Sequence, residues 1–349
     1  MKILTVVGAR PQFIKAAPLS LALRRAHVEI LVHTGQHYDH GMSDVFFAEL
    51  GIPAPDHHLG IGSGPHGAQT GAMLAAIETV LFAEQPETVL IYGDTNSTLA
   101  GALAAAKLQI PVAHVEAGLR SFNRSMPEEL NRIVADHLST LLFAPSEASR
   151  RQLASEGIER GVHVVGDIML DAVLTHRSRA AERSRLPEAL GLRGGEYFVA
   201  TLHRAENVDS PGRLARILDA LNRLDRPVVL PLHPRTASRV REHGLTPGAN
   251  VRLVDPLGYL DMLQLSSQSA CILTDSGGLQ KEAYFLGVPC VTLREETEWV
   301  ETVETGWNVL AGSDTDAIVS AARRMPGLDR PRPAIYGDGR TAERIVAAL

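Results

Sequence analysis

Along the chain, short apolar runs alternate with longer stretches in which apolar residues recur every three or four positions. The first pattern predicts buried strands and the second predicts helices. Strands are expected at 2–7, 28–33, 88–92, 111–115 and 140–144, then at 196–201, 226–231, 251–254, 269–273 and 289–293. Alternation of this kind from end to end is the mark of parallel βαβ units, so the expected fold class is α/β. No long linker interrupts the series. A charged, helix-patterned segment between Leu170 and Gly195 is followed by a fresh strand at Tyr197. The 349 residues suit two domains, expected at 1–169 and 170–339. A terminal helical segment, 340–349, is expected to pack back on the first.

Polar residues fall repeatedly where these strands end. Arg10 follows the first strand, Asp94 the third, Glu116 the fourth, His203 the sixth, His233 the seventh, and Asp275 to Gly278 the ninth. In open α/β sheets ligands bind outside the carboxyl ends of strands, so two such sheets facing each other would gather these groups around one cleft. The most informative stretch is Asp275-Ser276-Gly277-Gly278, the turn between a strand and a helix with apolar Leu279, Ala283 and Leu286. Two glycines admit a ligand close to the main chain, and the first N–H groups of the helix attract phosphate. A serine N-cap is the other reading of the same turn. Glu282, one to two turns along that helix, is placed to accept ribose hydroxyls.

Three carboxylates suggest proton transfer. Asp94 opens a helix after a strand and is also a good N-cap. Glu116 ends an apolar strand, where charge is normally avoided. Glu128 follows Pro127 at a helix start with Arg132 at i+4, which also fits dipole compensation and a surface ion pair. Arg10 and Lys15 bring positive charge near a phosphate, although the local sequence of Lys15 predicts an exposed helix lysine. His203 is a candidate diphosphate contact. The run from Arg294 to Trp299 is expected to be a solvated loop.

Composition narrows the function. With 45% hydrophobic residues, 21% charged and a formal net charge of -6, the chain is unlike a nucleic-acid protein. No apolar run reaches membrane-spanning length and no leader pattern opens the chain, so a cytoplasmic protein is expected. Gly8-Ala9-Arg10-Pro11 lacks the G-x-G-x-x-G fingerprint, and no NAD cofactor is expected. His33 and His37 stand at i, i+4 without a third ligand at metal-site spacing, and no metal is expected. Cys271 and Cys290 lie in strand-like runs and are expected to be reduced and not catalytic.

Six segments together, Gly8-Ala9-Arg10-Pro11, Tyr92-Gly93-Asp94-Thr95, His114 to Arg120, Pro127 to Arg132, His203 to Asn207 and Asp275 to Gly278, resemble the non-hydrolysing UDP-N-acetylglucosamine 2-epimerases over the full length. The resemblance implies two Rossmann-like domains of the glycosyltransferase-B type, a substrate cleft between them and a homodimer. It implies that UDP-N-acetylglucosamine and UDP-N-acetylmannosamine are interconverted by elimination of UDP to 2-acetamidoglucal and re-addition, with no cofactor. The implied catalytic residues are Asp94, Glu116, Glu128 and His203. Implied contacts to the UDP-sugar are Arg10, Lys15, Arg132, His233, Ser276, Gly277, Gly278 and Glu282. The Gln36-to-Met42 loop departs from the Gln-His-Arg and Met-Leu pattern of many bacterial members, so kinetics without a second, activating substrate are expected. Ser121 to Arg124 and Tyr38-Asp39 also occur in relatives acting on UDP-2,3-diacetamido-glucuronic acid, which makes that sugar the alternative substrate. A glycosyltransferase of the same fold and a silent nucleotide-sugar binding protein are more distant alternatives.

Overall fold

The apolar runs are strands without a polar face. Thr88–Tyr92 is buried at every position, as are Phe198–Thr201 and Cys271–Thr274, which is what a parallel sheet covered on both sides requires. In the computed structural model, which describes residues 1–36, 47, 49–232 and 234–349, these strands form two separate parallel sheets. One compact unit comprises Met1–Thr175 with Ala334–Leu349, and the other His176–Pro333. The loop from His37 to Met42, on which the regulatory expectation rests, and His233 lie outside the described residues.

The first unit holds β1 (Lys2–Val7), β2 (Val28–His33), β3 (His57–His58), β4 (Thr88–Tyr92), β5 (Val112–Val115), β6 (Leu141–Ala144) and β7 (Val162–Val164), in the spatial order β3-β2-β1-β4-β5-β6-β7. The second holds β8 (Phe198–Thr201), β9 (Val228–Pro231), β10 (Val251–Val254), β11 (Cys271–Thr274), β12 (Cys290–Thr292) and β13 (Asn308–Leu310), in the order β10-β9-β8-β11-β12-β13. Both are doubly wound sheets whose strand order reverses in the middle, between β1 and β4 and between β8 and β11. Such a switch point opens a crevice at the carboxyl ends of its two strands. Three short strands escaped the sequence reading. β3, β7 and β13 lie at sheet edges and have two or three residues each, too few to form an apolar run.

Side chains of the second sheet divide by the period of two. Phe198, Ala200, Leu230 and Leu273 enter one core with Leu218 and Ile318, while Val199, Val229 and Ile272 enter the other with Leu265 and Leu279. In the first unit Leu4, Val6, Val89 and Ile91 pack with Ile77 and Ala102. The terminal helix Thr341–Ala348 belongs to this first unit and packs on the helix Arg10–Ala26. Its first N–H groups are satisfied by Asp171, which accepts from Thr341 at 3.2 Å and Ala342 at 2.8 Å.

His176 makes a pH prediction for the second unit. Its ring is buried, stands edge-on to Tyr259 at 5.9 Å, and leaves Nδ1 without a partner. Burial, with the Arg179 charge, lowers its pKa from 6.5 to about 4. The unfolded chain therefore binds a proton that the folded chain refuses, and stability is lost as pH falls from about 6.5 towards about 4. Chemical denaturation across that window should show a loss on the order of 1–2 kcal/mol that His176→Phe removes.

Candidate active site

In the first unit the site begins with β1 and the helix after it. Gln12 on that helix accepts from the N–H groups of Gly8 and Ala9 at 2.8 and 3.1 Å, and donates to the Tyr92 carbonyl at 2.9 Å. One buried side chain thus ties the turn carrying Arg10 to the end of β4, which carries Asp94. Three residues further along, Lys15 points inward and meets Glu116 at 2.5 Å, with both side chains under a tenth exposed. The expectation of a solvent-exposed lysine is corrected, because a buried carboxylate at the end of β5 requires a counter-charge.

Glu116 has φ 74, a left-handed conformation that few residues other than glycine adopt. Its own N–H and that of Ala117 both donate to the Phe143 carbonyl at 3.1 Å, which holds the distorted turn in place. Strain of about 1–3 kcal/mol at such a position is commonly kept for a functional reason. Gly93, at φ 59, has no Cβ, and one built there would lie 3.0 Å from the Lys15 ammonium and 3.5 Å from the Glu116 carboxylate. The glycine therefore lets the main chain before Asp94 approach the Lys15–Glu116 pair.

Asp94 does not cap its helix. The cap is Thr95, whose hydroxyl accepts from Thr98 N–H, and the Asp94 carboxylate instead bonds the Arg132 guanidinium. Arg132 is also 3.2 Å from Glu129. Asn131 donates to the Asp94 carbonyl at 2.9 Å and to Asn96 at 3.2 Å, while Asn96 donates to Gln69 at 2.8 Å. Ser97 donates to Gln36 from both its N–H and its hydroxyl, at 3.0 and 2.7 Å. Glu128 stands half-exposed in the first turn of the helix Pro127–Leu138. Its neighbour Glu129 faces inward and accepts from the N–H groups of Ser121 and Phe122 at 2.9 Å each, which fixes the loop before the helix.

Sequence reading missed a buried cluster beneath these acids. His114 in β5 lies 2.8 Å from both Asp136 and the Gly93 carbonyl. The other Asp136 oxygen accepts from Gly118 N–H at 3.1 Å and from Arg120 at 2.7 Å. Burial alone would raise the Asp136 carboxyl, but the bonds and charges of His114 and Arg120 hold it below the usual carboxylate range. Arg120 also makes a two-pronged bond to Glu156 at 2.8 and 2.7 Å. A histidine inside an apolar strand and an aspartate on the inner face of a helix were the available signals.

The second unit supplies a different surface. Asp275, wholly buried after β11, accepts from the N–H groups of His203 at 3.0 Å and Arg204 at 3.1 Å and from the Asn207 amide at 3.1 Å. The ends of β8 and β11 are thereby joined at the switch point. Ser276 occupies the N-cap position of the helix Gly277–Leu286, yet its hydroxyl makes no cap bond. Gly277 abuts Glu298, and a Cβ there would come within 2.5 Å of its carboxylate oxygen. Glu282 is buried in the same helix, and the His203 side chain is exposed.

The run from Arg294 to Trp299 corrects the expectation of a solvated loop. Arg294, Glu298 and Trp299 are all buried. Arg294 pairs with Glu298 at 3.0 Å, and the Lys281 ammonium sits 3.9 Å over the Trp299 ring. Internal charge pairing and a cation–π contact compensate for what looked, residue by residue, like a surface composition.

Comparison with known proteins decides the family. Residues 21–349 match the family model described as UDP-N-acetylglucosamine 2-epimerase. The chain belongs to that family. It is 51% identical to the UDP-2,3-diacetamido-2,3-dideoxy-D-glucuronate 2-epimerase of Pseudomonas aeruginosa, and 48% identical to a UDP-N-acetylglucosamine 2-epimerase homolog of Methanococcus maripaludis. Each match covers 100% of this chain and 99% of the relative. The crystal structure of Methanocaldococcus jannaschii UDP-GlcNAc 2-epimerase in complex with UDP-GlcNAc and UDP is 44% identical, covers 99% of both chains and superposes with a TM-score of 0.93. As in its relatives, this family member is an enzyme with two Rossmann-like domains of the glycosyltransferase-B fold class. Among the described residues no helix is long and apolar enough to cross a membrane.

Proposed function

We propose that this chain interconverts UDP-N-acetylglucosamine and UDP-N-acetylmannosamine by elimination and re-addition. In the first step a carboxylate takes the C2 proton while the C1–O bond breaks, so that UDP departs with the electron pair and leaves 2-acetamidoglucal. In the second a proton is delivered to the opposite face of C2 and a UDP oxygen re-forms the bond to C1. The observation that carries this reading is the convergence of Asp94 and Glu116 on paired cations at the carboxyl ends of β4 and β5, with Glu128 on the helix that supplies Arg132. Carboxylates held this way exchange protons without diffusing partners.

Retention of UDP falls to the second unit in this proposal. The uncapped start of the helix Gly277–Leu286 offers N–H groups to the diphosphate, with Ser276, Gly277 and Gly278 giving close approach and Glu282 taking ribose hydroxyls. His203 in this unit offsets the charge of the departing UDP. We propose that the enzyme acts in the cytoplasm as a homodimer.

Incubation with UDP-N-acetylglucosamine in deuterated water should place deuterium at C2 of both epimers, with positional isotope exchange at the bridging oxygen. Epimerisation without that exchange would rule out C1–O cleavage. The 51% identity to an enzyme named for UDP-2,3-diacetamido-2,3-dideoxy-D-glucuronate favours a second reading, in which that sugar is the substrate. A kcat/KM at least about tenfold higher for the uronic acid than for UDP-N-acetylglucosamine would establish it.

A further inference from the structure

We infer that His114 is a positioning residue that works as a doubly protonated ring, a buried imidazolium that fixes the two segments carrying Asp94 and Glu116. The ring is fully buried in β5 with both nitrogens engaged, Nδ1 at 2.8 Å from Asp136 Oδ1 and Nε2 at 2.8 Å from the Gly93 carbonyl. A carbonyl oxygen has no hydrogen to give, so Nε2 donates. The Asp136 carboxylate is bound on its other oxygen by the Arg120 guanidinium and the Gly118 N–H. Ionised, it also only accepts, and Nδ1 must carry hydrogen too.

The charged groups packed on the ring are Asp136 and Arg120, both buried, and Glu156, 22% exposed, pairs with Arg120.

What the imidazolium holds is more telling than that it is held. Its Nε2 fixes the carbonyl of Gly93, the residue immediately before Asp94. Through Asp136 it fixes the amide of Gly118, two residues after the strained Glu116. Asp136 itself belongs to the helix that begins at Pro127 and carries Glu128 and Arg132. All three acids thus hang on segments bound to one buried pair, although neither His114 nor Asp136 reaches the surface. The positioning role rests on the acid assignments proposed above, whereas the protonation of the ring does not.

Histidine-selective nitrogen-15 labelling tests the ring directly at about pH 7.5, where an ordinary histidine is mostly neutral. The His114 ring, assigned through its backbone, should show two bonded, slowly exchanging protons and imidazolium-type shifts at both nitrogens. A single ring proton with a bare acceptor nitrogen would overturn the inference. Kinetics test the positioning. His114→Gln keeps one hydrogen bond and loses the charge, and kcat should fall by about 10²-fold, the scale of a small misplacement of reacting groups. KM and UDP affinity should stay within about twofold, since the diphosphate contacts are elsewhere. An unchanged kcat, or parallel loss of UDP binding, would overturn the role. Asp136→Asn is the second variant, expected to behave alike and to abolish the two-proton signature. Wild-type protein that epimerises neither UDP-sugar while showing the two-proton ring would reject the acid assignments and not the ring chemistry.

Discussion

Asp94→Asn, Glu116→Gln and Glu128→Gln are each expected to lower kcat by roughly 10²-fold or more while leaving UDP binding intact. Each change keeps the shape of the side chain and removes the capacity to hold a proton. The three should differ in stability. Glu116→Gln leaves the Lys15 ammonium, under a tenth exposed, facing a neutral amide, so this variant should also be less stable, by a few kcal/mol. Glu128 lies half-exposed at a helix start, and its replacement should cost less stability than that of the buried Glu116. Single-turnover rates, together with UDP titration by calorimetry, separate these effects. A Glu128 variant with full activity would assign that carboxylate to the helix terminus alone.

Asp275→Asn is expected to weaken UDP binding by roughly tenfold or more and to lower the melting temperature by about 5–10 °C. The wholly buried carboxylate accepts from three donors, the N–H groups of His203 and Arg204 and the Asn207 amide. An asparagine turns one accepting oxygen into a donor, and a donor facing a donor costs about 1–3 kcal/mol when buried. The loop from β8 that carries His203 must then shift away from the start of the helix Gly277–Leu286. Because Asp275 is enclosed, any loss of UDP affinity reports on the placement of that loop. Wild-type affinity in a variant that melts lower would separate the loop from nucleotide binding.

Much of this arrangement was legible in the order of residues. Buried parallel strands need apolar runs, and polar groups in such sheets have only the strand ends to occupy, so Asp94, Glu116, His203 and Asp275 declared themselves by position. Edge strands of two or three residues left no such trace. Long-range pairing was equally silent. Nothing near Lys15 announces Glu116, about a hundred positions away, nor does Asp94 announce Arg132, so local rules assigned the lysine to solvent. The segment from Arg294 to Trp299 misled because Arg294 pairs with Glu298 inside it and Lys281 stacks on Trp299 from the preceding helix. His114 was visible as a polar residue in a strand, but its partners come from a helix and a turn that only the fold brings together.

The last helix has a consequence for synthesis. A ribosome delivers residues 1–175 first, yet Ala334–Leu349 belong to the same unit, and Asp171 has its two amide donors only when Thr341 and Ala342 arrive. The unit that is translated first is therefore the last to be completed. A chain cut short before Thr341 would leave the Asp171 carboxylate without both amide donors, so its first unit should unfold at lower denaturant concentration than that of the longer chain.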